Sequence, residues 1–205
     1  MFTVPSSLSL TSAGEMAEHH RCIEIAPGAR LRLGRIHEVT GTASDMFALL
    51  SGAKSEAQMI WIGLGRDLST LCPTGFEHHL DISNMVLVEG VSRGEILWVA
   101  DQALRANGGF TVVLDMPDAL SLKESRRLQL AAEQGGGLGL ILLRGPAITS
   151  AAQTRWACEP IPEAYPAWDW VCLKGKNGEI GRWRVTDQED QNATDTLHMA
   201  ATAAP

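Results

Sequence analysis

The stretch Arg35-Ile36-His37-Glu38-Val39-Thr40-Gly41-Thr42-Ala43-Ser44-Asp45-Met46-Phe47-Ala48-Leu49-Leu50 limits what this chain can fold into more than any other. It reads as a short strand over Ile36 to Val39, a turn of small residues from Gly41 to Ser44, and a helix entered near Asp45. That is the strand–loop–helix frame of a phosphate-binding loop, in which backbone N–H groups and a helix N-terminus hold an anion. The chemistry of such a loop is missing. Counting from Gly41, Met46 stands where a second glycine would allow close backbone approach, and Phe47 where a lysine would reach the β- and γ-phosphates. Ala48 replaces the hydroxyl that would hold Mg²⁺, and Asp45 puts a negative charge where the phosphates would lie. Two readings compete: a chance likeness of an apolar strand and turn, which a lone Gly41 favours, or a nucleotide-binding fold turned binding scaffold.

Composition narrows the choice. With 205 residues, 45% hydrophobic and 20% charged, the chain is an ordinary soluble α/β domain. At this size folding removes roughly 70% of the extended-chain surface from water, so a core needs no staples. No apolar run reaches the ~18 residues of a membrane span, and Met1 to Gly14 lacks the basic start and apolar run of a signal peptide. Cys22, Cys72, Cys158 and Cys172 have no paired spacing, so reduced thiols and a cytoplasmic location are expected rather than disulfides or zinc. The adjacent pairs His19-His20 and His78-His79 do not share a helix face and read as surface histidines. No metal and no cofactor is expected.

The net charge of −7 is a poor footprint for a duplex-DNA binder, and direct DNA binding is doubtful. The charge is uneven, however. Ser121 to Val185 holds nine bases against six acids, whereas Thr186 onward carries Asp187, Glu189, Asp190 and Asp195 and no base. Such a face is weak support for a partner surface.

In chain order, Met1 to His20 is an arm without periodicity, Cys22 to Ile25 a candidate edge strand, and Arg30 to Gly34 the approach to the first core strand. A short helix over Met46 to Ala53 follows the loop. Met59 to Gly63, Met85 to Glu89, Thr111 to Asp115 and Leu138 to Leu143 read as strands, the continuous apolar runs as strands buried on both faces. Ser92-Arg93-Gly94-Glu95 and Ser121-Leu122-Lys123-Glu124 are capping boxes opening two helices, the second with Leu122, Leu128 and Ala132 toward the core. Asp115, an acid at a strand end, is a candidate remnant of the residue that holds Mg²⁺ through water in phosphate-loop ATPases. This alternation predicts a mostly parallel sheet flanked by helices. Trp156, Trp170 and Trp183 lie on later alternating segments, the last two joined by Lys176-Asn177-Gly178, a hairpin signal, so an antiparallel C-terminal extension is expected. With Trp168, these tryptophans read as its packing, a base-stacking platform being the sharper alternative. The domain reading is an arm over 1–33, a core over 34–185 and a disordered acidic tail over 186–205.

Taken together, the chain resembles the ImuA family, RecA-like proteins of the SOS mutagenesis cassette and distant relatives of SulA. The resemblance rests on His37 to Gly41, on Leu97-Trp98 through Ala103-Leu104-Arg105, and most specifically on Ser125-Arg126-Arg127-Leu128-Gln129-Leu130-Ala131-Ala132-Glu133 leading to Gly137-Leu138-Gly139. Ser150 to Trp156 and the Gly178 to Trp183 hairpin complete it. It implies a RecA-like sheet and, against that pattern, further losses. No glutamate ends the strand at Ile62-Gly63-Leu64-Gly65, no polar amide follows Leu142-Leu143-Arg144, and Gly145 to Ala152 is too short for a DNA-binding loop. Losing one main electrostatic contributor typically costs ~10²-fold or more in rate, so the reading is a pseudo-ATPase. The resemblance further implies an adaptor of damage-induced translesion synthesis whose partners are an ImuB-type Y-family-like protein, RecA and, indirectly, an error-prone DnaE-type polymerase. Self-association is possible by the same kind of surface. Arg126, Arg127 and Arg155 are the candidate partner surface, with the Arg30 to Val39 edge a second contact. The alternatives are a SulA-like inhibitor binding the cell-division GTPase FtsZ, and a weak ATPase.

Overall fold

The structure is a computed structural model; it describes residues 21–69, 71–72, 75–146, 148–162, 166–176, 180–186 and 198–201. The elements run β1 (Cys22–Ala26), β2 (Ala29–Arg32), β3 (Arg35–Thr40), α1 (Ser44–Ser55), β4 (Met59–Leu64), α2 (Gly65–Leu68), β5 (Met85–Gly90), α3 (Arg93–Arg105), β6 (Thr111–Met116), α4 (Leu122–Gly135), β7 (Leu138–Leu143), β8 (Thr154–Pro160), β9 (Ala167–Gly175), β10 (Gly181–Thr186) and β11 (His198–Ala201). The main sheet has the order β11-β10-β9-β8-β3-β7-β6-β4-β5. Strands β8 to β5 pair parallel, and β9, β10 and β11 extend that sheet antiparallel. This is the mostly parallel, helix-flanked α/β sheet that the alternation of apolar runs and capped helices predicts, and it is consistent with the RecA-like sheet that the resemblance implies.

Every residue of β6 and of β7 is buried, because helices or hairpin cover both faces of those strands. Neighbouring residues feed opposite cores. Leu140 and Trp61 join α1, the tryptophans and the β1–β2 hairpin on one face, while Ile141 and Ile62 join α3 and α4 on the other. The hairpin belongs to the first core, with Ile25, Ala29 and Leu31 buried and the Trp183 indole N–H donating to the Pro27 carbonyl at 3.1 Å.

Several expectations change here. The segment β3 lies between β7 and β8, so Arg35 to Val39 is not a sheet edge, and Arg30 to Arg32 belong instead to the separate β1–β2 hairpin. Trp156, Trp168, Trp170 and Trp183 are at most 8% exposed, which leaves no stacking platform. Their role is packing: Phe47 meets Trp156 and Trp170 at ring centroid distances of 5.3 and 4.6 Å. Leu122 is 55% exposed rather than core-facing, since it sits at the first position of α4, before the buried stripe of Leu128 and Ala132 begins. Ser121 and Glu124 form a complete capping box. At Ser92 only half of one forms: its hydroxyl accepts from the Glu95 N–H, but the Glu95 carboxylate accepts from the Val91 N–H instead. Strand β11 falls within the stretch read as a tail and pairs with β10; the Asn177-Gly178 turn and Met1 to His20 lie outside the described residues.

Candidate phosphate-loop site

The loop between β3 and α1 closes against the end of β8. Gly41 has φ +99°, and a side chain there would run into the Cys158 carbonyl, so both conformation and space require glycine. The Ala43 N–H donates to that same carbonyl at 3.1 Å. The Thr42 N–H and hydroxyl both donate to one oxygen of Glu159, at 3.2 and 2.6 Å. The Ser44 N–H turns back to the Gly41 carbonyl at 3.3 Å. Each of these three N–H groups, the kind that would cradle a phosphate, therefore has a protein acceptor, and one acceptor is a carboxylate.

The positions that differ from a working loop point inward or pair off. Phe47 and Ala48 are fully buried and Met46 packs against the same core. Asp45 lies in the first turn of α1, where its charge complements the helix N-terminus. Its carboxylate accepts from Arg144 Nη2 at 2.6 Å.

Arg144 follows β7 directly and its side chain joins three groups, Asp45 among them. Its Nε and Nη2 reach the two oxygens of Asp115 at 2.9 and 2.7 Å, and its Nη1 reaches the buried Ser44 hydroxyl at 3.3 Å. The Asp115 and Asp45 carboxylates raise the Arg144 pKa above its ordinary value, Asp115 contributing most through its hydrogen bonds. Asp115 is 2% exposed at the end of β6. A bidentate guanidinium on a buried carboxylate is a strong, oriented contact. The arrangement is a cation shared by the strand-end acid, the loop hydroxyl and the loop acid. Sequence reasoning missed Arg144 and Glu159; a lone base directly after the apolar run Leu138 to Leu143 was the available signal for the first.

The candidate partner arginines separate. Arg126 is exposed on α4. Arg127 is half exposed and donates to Asp101 at 3.1 Å, an acid it shares with Arg105. Arg155 is turned inward: its side chain is 17% exposed and pairs with Glu38, itself 1% exposed, at 2.6 Å. It neutralises a carboxylate in the middle of the sheet, so little of it faces a partner. Leu130, one turn along α4 from Arg126, and Trp98 on α3 are 53% and 57% exposed.

His37 is a further buried titratable group. Its Nε2 lies 3.0 Å from the Arg32 carbonyl, which only accepts, so that nitrogen carries the proton. Nδ1 then accepts from the Thr154 hydroxyl at 2.7 Å, whose oxygen accepts in turn from the Trp156 indole. Burial lowers the His37 pKa to about 4, and it stays neutral. Cys158 and Cys172 are buried and Cys22 and Cys72 exposed, and among the described residues none forms a disulfide. Burial raises the Cys158 pKa. Among the described residues no His, Cys, Asp and Glu cluster could hold a metal, and no described helix is long and apolar enough to cross a membrane.

No family model matches the chain. Over 197 residues it is 27% identical to Protein ImuA of Caulobacter vibrioides strain NA1000 / CB15N, covering 80% of this chain and 79% of that protein. Protein ImuA of the strain ATCC 19089 / CIP 103742 / CB 15 matches to the same extent. The resemblance carried by the sequence motifs thus has a distant curated counterpart: the chain is similar, at 27% identity, to Protein ImuA.

Proposed function

We propose that this protein is a non-catalytic RecA-like accessory factor of damage-induced mutagenic DNA synthesis, working by contact with other proteins. Supporting the role is the similarity to Protein ImuA; supporting the absence of catalysis is Arg144. Its guanidinium occupies the space between strand-end acid and loop where a divalent ion would bridge protein and phosphates, and it is held there by Asp115 and Asp45 together. A nucleotide would have to displace a fixed cation from a buried carboxylate while finding no lysine and no hydroxyl ligand. The Glu159 carboxylate on the Thr42 N–H adds repulsion at the same loop.

The partner surface in this reading is the outer side of the α3–α4 pair, where Arg126 lies exposed with Trp98 and Leu130. Exposed aromatic and arginine side chains are the types that carry interface energy. The partners proposed are RecA and an ImuB-type protein, with cytoplasmic residence. The test has two arms. Steady-state ATP hydrolysis with Mg²⁺ should stay at the buffer rate, and a measurable rate abolished by Asp115→Ala would overturn the non-catalytic reading. In pull-downs Arg126→Glu with Trp98→Ser should weaken capture of RecA or of the ImuB-type protein at least tenfold; unchanged capture of both removes this face.

A further inference from the structure

The main sheet is open along β5. Among the described residues β5 has one strand neighbour, β4, and pairs with it in unbroken parallel register, from Met59 opposite Met85 to Leu64 opposite Gly90. The side of β5 turned away from β4 presents a row of backbone N–H and C=O groups without a partner strand. Both ends of the strand are pinned. Before it, the Asp81 carboxylate accepts from the Ser83 N–H at 2.9 Å, and the Met85 N–H donates to the Ile82 carbonyl. After it, the Glu95 carboxylate accepts from the Val91 N–H at 2.9 Å.

An exposed sheet edge is ordinarily guarded by lysine, proline, a bulge or a very short strand. From Ile82 to Val91 there is no lysine, arginine or proline, and no bulge interrupts the pairing. Instead Ile82, Val86, Leu87 and Val91 are exposed, Val86 by 42% and Leu87 by 51%. Apolar residues exposed singly are ordinary; four within ten residues along one open edge form a patch. Val86 lies opposite Ile60 and Leu87 opposite Trp61, which feed opposite cores, so the edge is apolar on both faces of the sheet.

We propose that β5 pairs antiparallel with β5 of a second copy of this chain, joining the two main sheets across a two-fold axis. Such an axis, normal to the sheet, keeps like faces together, so it passes at a residue that faces itself. Centred on Leu87, the pairing sets Leu87 against itself, Val86 against the second copy's Val88, and Glu89 against its Met85. Centred on Val86, it sets Val86 against itself, Leu87 against the second copy's Met85, and Glu89 against its Ser83. Glu89 is the one charged residue of the strand, and in both registers it meets an uncharged residue. The edge is therefore self-complementary: exposed apolar side chains cover one another and no like charges oppose. One acid in the strand gives a charged foreign strand little to recognise. Pairing β5 with the far edge of the sheet would run head to tail and propagate, whereas β5 on β5 closes.

The test is sedimentation equilibrium of the full chain from micromolar to several hundred micromolar. A reversible monomer–dimer equilibrium, weakened at least tenfold by Val86→Lys or by Leu87→Lys, is expected. Leu130→Lys on α4 should leave it unchanged, and unaltered unfolding curves of the lysine variants exclude misfolding. Oxidative cross-linking fixes the register, in a chain whose exposed Cys22 and Cys72 are replaced by serine. At the axis the Cα atoms lie about 4.5–5.5 Å apart, within disulfide reach, so Val86→Cys or Leu87→Cys should link two copies while Arg126→Cys does not. A chain monomeric throughout, a dimer indifferent to both lysines, or a dimer that links at neither position would each overturn the proposal.

Discussion

The two ends of the parallel sheet treat charge in opposite ways. At the carboxyl ends of the strands, where this fold class places its ligands, Arg144 neutralises Asp115 and Asp45, while Glu159 satisfies Thr42. At the amino ends Arg35 pairs with Glu133 at the surface, Lys174 and Lys176 donate to the Ser150 and Ala151 carbonyls, and burial keeps the His37 ring neutral. One end closes its buried charges on one another; the other keeps its buried ring uncharged. The loop end is occupied by the protein's own ion pairs.

The largest effects test how tightly the interior charges are closed. Arg155→Ala leaves Glu38 buried and unpaired in the central strand, and should cost about 3–5 kcal/mol in urea unfolding. Arg144→Ala strands Asp115 in the same way, but the arginine is 34% exposed, so a smaller loss of about 2 kcal/mol is expected. Adding Asp115→Asn should recover much of it, and strict additivity of the two changes would mean that the pair is not coupled.

Acid sharpens the comparison from the other end. His37 has a folded pKa of about 4 against 6.5, so it contributes stability present above pH 6.5 and lost as pH falls toward 4. Between pH 7 and pH 5 the unfolded state gains a proton that the native state refuses, a loss of about 2 kcal/mol. His37→Gln should be less stable at pH 7 yet lose less on acidification; an unchanged pH slope would contradict the relay. At the exposed Thr42–Glu159 contact the effect is smallest. Glu159→Gln should shift stability by less than about 1 kcal/mol, measured by the same unfolding curves, because both groups are open to solvent.

Much of this was legible in the residues. The apolar runs Thr111 to Asp115 and Leu138 to Leu143 announce strands buried on both faces, and Ser121 with Glu124 announces a helix start, because these are local rules of periodicity and capping. The edge role given to Arg30 to Val39 was not legible: strand order is a property of pairings more than a hundred residues apart, such as His37 with Thr154. The same distance hid Glu159, which meets the loop through β8.

By itself the sequence determined that Phe47 and Ala48 stand where a phosphate loop would carry a lysine and a metal-binding hydroxyl, since residue identity suffices for that. Only the tertiary structure decided what replaced them. An arginine one residue past β7 becomes the cation of the site, and Arg155 becomes the partner of Glu38 across two strands, because ion pairs depend on distances that no one-dimensional pattern encodes.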